Sequence, residues 1–113
     1  MAYTNLAVQG TSSAGLEPTY SAAVLTDGNM FRNTGKEILH VVNADASPTT
    51  VTLVTPATVA GLAIADQTIV IAAGEERMMG HLDPNVYNQS GTDAGKVYVQ
   101  YTNVTSVTVA VVQ

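Results

Sequence analysis

Apolar and polar residues alternate along most of this chain. Val107, Val109 and Val111 alternate with Ser106, Thr108 and Ala110. Val97, Val99 and Tyr101 alternate with Lys96, Tyr98 and Gln100, and Val51 and Leu53 with Thr50 and Thr52. A period of two is the mark of a strand with one buried face. Strands are predicted near residues 5–9, 20–25, 29–32, 37–43, 49–55, 67–72, 75–81, 96–102 and 105–112. Turn residues fall between them: Asp27-Gly28-Asn29, Asn33-Thr34-Gly35, Asn43 to Pro48, Ala73-Gly74, Gly91 to Gly95 and Asn103. Helix is confined to a single turn, near either 56–62 or 84–87. Asp83-Pro84 supplies an N-cap residue followed by a proline at the first helical position.

Nine short strands at spacings of about ten residues predict an all-β fold, an antiparallel β-sandwich or jelly roll. The 16 Val, 15 Thr and 4 Ile agree with this, because β-branched side chains suit a pleated surface better than a helix. Residues 1–19 stand apart. Seven small or polar residues run from Gln9 to Gly15, too many for a core strand. The expected organisation is therefore a flexible N-terminal arm, 1–19, and a sandwich domain, 20–113. Such an arm orders on a partner or exchanges between subunits, and its removal should leave the fold intact.

Composition narrows the function. The chain has 113 residues, 46% hydrophobic, and no Cys. That length suits one domain with a core that needs no covalent staples. Without Cys there are no disulfides, thiolate metal sites or thiol nucleophiles. Only 12% of residues are charged, about half the usual share of roughly 25%. The surface must then be covered by Thr, Ser, Asn, Gly and Ala, which protect it poorly from association. Nine acidic residues against four basic ones leave a net charge of −5, so a nucleic-acid partner is not expected. No membrane partner is expected either, since no apolar run approaches the length of a span. The first residues lack the basic and apolar regions of a signal peptide, so synthesis in a cytoplasm is expected.

Chemistry-bearing motifs are sparse. His40 sits mid-strand and His81 precedes Asp83; neither lies in a local motif that activates a nucleophile. There is no His-x-x-x-His pair, no EF-hand loop, no phosphate-binding glycine motif. No catalytic residue, cofactor or metal site is expected, and the chain reads as a non-enzyme. The segment 74–88 is dense in residue types that populate interface cores, Arg, Met and Tyr. From it, Arg77, Met79, His81 and Tyr87 are candidate partner-binding residues, and Tyr3 and Leu6 are candidate anchors on the arm.

Several segments then occur in a telling order. Gly28-Asn29-Met30-Phe31-Arg32-Asn33-Thr34-Gly35-Lys36-Glu37 is followed by Leu39-His40-Val41-Val42-Asn43, Thr50-Val51-Thr52 and Ala63-Ile64-Ala65-Asp66-Gln67-Thr68-Ile69. Then come Ala73-Gly74, Arg77-Met78-Met79-Gly80, Asp83-Pro84-Asn85-Val86-Tyr87-Asn88 and a closing Val/Thr strand. Over residues 25–113 this resembles the small all-β head decoration (capsid cement) proteins of tailed bacteriophages. The resemblance implies a sandwich on the outer capsid surface of the virion that bridges neighbouring major capsid proteins and stiffens the shell. It implies no reaction and no cofactor. A homo-oligomer, dimer or trimer, is expected beside the capsid lattice as partner. Another phage structural role, in the neck, tail or a fibre, is the alternative. A carbohydrate-binding module is a further one, although the chain has no Trp to stack on sugars.

Overall fold

The computed structural model describes residues 3–25 and 27–113. It is an all-β domain of two five-stranded sheets and one small hairpin. In chain order the strands are β1 (Thr4–Leu6), β2 (Val8–Gln9), β3 (Ser21–Ala22), β4 (Asn29–Arg32), β5 (Ile38–Asn43) and β6 (Thr49–Leu53). They continue with β7 (Thr58–Val59), β8 (Leu62–Ala63), β9 (Gln67–Ile71), β10 (Glu76–Met79), β11 (Lys96–Tyr101) and β12 (Val107–Val112). One short α-helix, α1 (Pro84–Tyr87), and a 3-10 turn, Gly91–Asp93, lie between β10 and β11. The first sheet has the order β1-β4-β11-β6-β9, and the second β10-β5-β12-β2, with β3 also on β12.

The period-two pattern decides which side chains meet. Phe31, Val51, Leu53, Ile71, Val97 and Val99 come from the first sheet, and Leu39, Val41, Val107, Val109 and Val111 from the second. All are buried, and they form a single core cluster. Alternate residues leave the core: Met30, Arg32, Tyr98 and Gln100 lie outside on the first sheet, where Thr50 and Thr52 follow. Each apolar side chain so buried contributes roughly 1.5–3 kcal/mol.

The single predicted strand over 5–9 is two strands. Ala7 breaks the segment because the chain changes sheets there: β1 pairs with β4 and β2 with β12, both in parallel. The remaining pairs of the two sheets are antiparallel. Parallel pairing needs a long connection: the chain from Leu6 to Asn29 supplies it for β1 and β4, and the elements β3 to β11 intervene between β2 and β12. Of the expected arm, Met1 and Ala2 lie outside the described residues. Residues 4–9 stitch the two sheets together along one side, and Leu6 is buried in the core.

Of the two possible helical turns, 84–87 forms. The Asp83 carboxylate accepts a hydrogen bond from the Asn85 N–H at 2.9 Å, and Pro84 opens the helix. The other, 56–62, is instead the hairpin β7–β8, turned by Ala60 and Gly61, whose φ angles are +53° and +80°. Two consecutive positive φ values are what a two-residue hairpin turn of the right twist requires. Ala-Gly is a weak signal for that turn, whereas Pro56-Ala57 imitates a helix start.

Three asparagines that look like turn residues in the sequence are buried junctions. Asn29 Oδ1 accepts from the Tyr101 hydroxyl at 2.9 Å and the Val24 N–H at 3.2 Å, and its Nδ2 donates to the Thr4 carbonyl. Asn33 Nδ2 donates to the Leu82 carbonyl and to Asn88 Oδ1, while Asn88 Nδ2 donates back to the Asn33 carbonyl at 2.8 Å. Asn43 Nδ2 donates to the carbonyls of Ser47 and Ile71. A buried amide must be satisfied on both ends, so each Asn fixes a loop against a strand.

Candidate functional site

The two ends of the strand order define the sides of the sandwich. One side is closed by β1 and β2, three and two residues long. The other side ends in β9 on the first sheet and β10 on the second. The turn between them is tight, with the Glu75 N–H donating to the Ala72 carbonyl at 3.0 Å and Gly74 at φ +74°.

These two open edges differ in chemistry. Glu75, Glu76 and Arg77 line the β10 edge, and Arg77 pairs with Glu75 at 3.2 Å. The β9 edge, Gln67-Thr68-Ile69-Val70-Ile71, carries no charge, no proline and no glycine. Natural sheets blunt their edges by shortness, charge, proline or bulges. Among the described strands, β1 and β2 use shortness and β10 uses charge, while β9 uses none of these. Val70 is 62% exposed beside it, Val59 and Leu62 on the β7–β8 hairpin are 65% and 72% exposed, and Met78 on β10 is 64% exposed. From Thr55 to Ala73 the chain holds one charge, Asp66, whose carboxylate is held by the Thr55 N–H and hydroxyl at the hairpin base. The β9 edge and the β7–β8 hairpin thus form an uncharged, largely apolar rim next to the charged β10 edge.

The six residues singled out from sequence are scattered by the fold. Leu6 and Met79 are buried in the core and Tyr87 packs partly against it, so these three help hold the sandwich together. Their apolar character, which suggested an interface, is used internally. Tyr3 lies on the outer face of the first sheet, stacked on Tyr98, and its hydroxyl accepts from Gln100 Nε2 at 2.7 Å. Arg77 and His81 are exposed. Arg77 belongs to the charged β10 edge, and no contact joins the six into one cluster. The rim residues Val59, Leu62 and Val70 escaped sequence reading because exposed and buried Val and Leu look alike without the sheet order.

His40 holds three segments together on the outer face of the second sheet. Its Nε2 lies 2.9 Å from Glu76 Oε1 and its Nδ1 lies 2.6 Å from the Tyr20 hydroxyl. An ionised carboxylate only accepts, so Nε2 carries the proton and Nδ1 accepts from Tyr20. The row carboxylate–imidazole–phenol ties β10 and the residue before β3 onto β5. Among the described residues no group of three or more His, Asp or Glu is placed to hold a metal ion, and no helix is long and apolar enough to cross a membrane.

One carboxyl and two phenols are shifted, Glu37, Tyr98 and Tyr101. Burial alone would raise the Glu37 carboxyl, which is 3% exposed. Hydrogen bonds from the Thr34 N–H at 2.7 Å, the Thr34 hydroxyl and the Lys36 N–H outweigh it and hold the carboxyl below its usual range. Tyr98 donates to the Asp93 carboxylate, which, with some burial and the negative charge itself, pushes the phenol up to about 12. Comparison with protein-family models, with curated proteins and with solved structures finds no match to this chain.

Proposed function

We propose that this protein is a structural component of a tailed-phage virion that decorates the outer capsid surface and bridges neighbouring major capsid proteins. The observation that carries the reading is the β9 rim: a five-residue, uncharged strand paired on one side only, with β6, together with an exposed apolar hairpin in the connection before it. An extended segment of the capsid protein can add to such an edge, taking affinity from main-chain hydrogen bonds and side-chain contacts with Val59, Leu62 and Val70. One such contact is small, and repetition over a lattice multiplies it through effective concentration. The order of segments along residues 25–113 that resembles head decoration proteins favours the same role. A rigid body closed on one side by residues 4–9 and adhesive on the other is suited to stiffening a shell.

The test is co-sedimentation with purified expanded capsids that lack the protein. Binding is expected to saturate at a fixed ratio to the capsid protein and to raise the temperature at which the shells disrupt. Absence of saturable binding overturns the reading and transfers the role to the neck or tail.

A further inference from the structure

At the end of the first sheet where β4 finishes and β11 begins, the few cations gather. Lys96 and Arg32 face each other in the β4–β11 ladder. Side chains so placed have Cβ atoms about 4.5–5.5 Å apart, and like charges there repel. The chain has only four basic residues against nine acidic ones, yet two of the four occupy this one pair, and Lys36 follows in the adjoining loop. Among the described residues the ion pairs are His40 with Glu76 and Arg77 with Glu75, so neither Arg32 nor Lys96 has an acidic partner. The carboxylates close by in sequence are engaged elsewhere: Glu37 by Thr34 and Lys36, Asp93 by Tyr98.

The pair lines a cleft of about 250 Å³ together with Asn33, Thr34, Ala94 and Gly95. Its floor is fixed. Gly95, at φ +84°, donates to the Gln89 carbonyl, and the Gln89 N–H donates to the Lys96 carbonyl at 2.8 Å, the pattern of a β-bulge with glycine at its first position. The Asn33 N–H donates to the Gly95 carbonyl at 3.0 Å.

We propose that this cleft binds a tetrahedral oxyanion of the phosphate class. A guanidinium takes two oxygens through its fork, and a tetrahedral oxyanion still has two further oxygens to offer the ammonium opposite, where a carboxylate would have to share the same two. A bound dianion turns the repulsion between Arg32 and Lys96 into attraction on both sides. The net charge of −5 opposes a long polyanion, so the ligand is a small ion or a single phosphate group carried on a small molecule. The site is independent of the rim and of the capsid reading.

The experiment is thermal unfolding of the full chain at constant ionic strength, with chloride replaced stepwise by inorganic phosphate and, separately, by phenyl phosphate. Phosphate is expected to raise Tm along a saturating curve. Arg32→Gln and Lys96→Gln should each weaken binding by about tenfold or more, the loss of one charge-assisted contact, whereas Arg77→Gln binds as the parent does. In chloride both cleft variants should melt at or above the parent, because removing one cation removes the repulsion; that also shows they are folded. Saturation by both ligands assigns the site to a phosphate group, and saturation by inorganic phosphate alone assigns it to the free ion. Phosphate also strengthens apolar burial without binding, so a non-saturating rise shared by the double variant overturns the proposal. Equal stabilisation by acetate overturns the tetrahedral assignment.

Discussion

Tyr3 lies flat on Tyr98, with ring centroids 3.7 Å apart and ring planes within 5° of each other. The stack fastens the start of the chain to the middle of the first sheet. Gly28 sits beneath it at φ +71°, where a Cβ would collide with the Val99 carbonyl and the Tyr3 ring, and its carbonyl accepts from the Thr4 N–H at 3.1 Å. The N-terminal strands are therefore part of the sandwich's construction. Removing residues 1–9 should lower Tm sharply, and Leu6→Ala alone should cost about 2–5 kcal/mol. Chemical denaturation reads both; an unchanged midpoint in the truncated chain would mean that the stitch across the two sheets carries no stability.

The Asn29–Tyr101 bond crosses the core side of the first sheet. Tyr101→Phe keeps the ring and removes the donor, leaving one of Asn29's acceptor bonds unmade. A loss of about 1–2 kcal/mol is expected. Burial also pushes the Tyr101 phenol well above its ordinary range, so Tyr101 should resist ionisation until the fold opens.

Glu37 makes stability depend on acid. Its folded pKa is depressed, so its contribution is complete above the unfolded value of about 4.3 and is lost as pH falls through the folded value. Urea midpoints should hold steady from neutrality down to about pH 5 and decline below it. In Glu37→Gln the midpoint should be lower at pH 7 and the acid decline shallower.

Tyr98 has the opposite sign. Its folded pKa of about 12 exceeds the usual value of about 10, so its contribution is present below the unfolded value and disappears as pH rises through the folded one. Absorbance titration at alkaline pH should show Tyr98 ionising late. Asp93→Asn should return it toward the ordinary range, and no such change on substitution would disprove the Asp93 contact.

Val70→Lys places a charge on the open β9 edge. Val70 is exposed and outside the core, so Tm should move little, within the roughly ±0.5 kcal/mol of surface changes. Capsid binding in the sedimentation assay should fall steeply. Retained binding would show that the partner does not use this edge.

Most of the strands were legible from alternation because half-buried strands bury every second residue. The strands 29–32, 49–53, 67–71 and 96–101 fall within the predicted ranges. The predicted 105–112 begins at Val107, because Ser106 takes φ +55° in the preceding turn. The candidate site was much less legible. Leu6, Met79 and Tyr87 read as interface residues because their types serve cores and interfaces equally. Val59, Leu62 and Val70 passed unnoticed because which strand ends a sheet is not a local property. His40 reads as a structural strand histidine, and its two partners, 20 and 36 residues away, are visible only once β5 and β10 are paired.

The sequence by itself determined the all-strand class, most strand positions and the shortage of charge, and it limited helix to one of two short turns, since each follows from spacing of 2 or from residues within a few positions of one another. Tertiary structure alone decided that residues 4–9 close the sandwich, that three asparagines are buried junctions, that β9 is left open and that Arg32 faces Lys96. Those facts depend on which distant strands pair and in what register, and a register is set by the packing of the whole core at once.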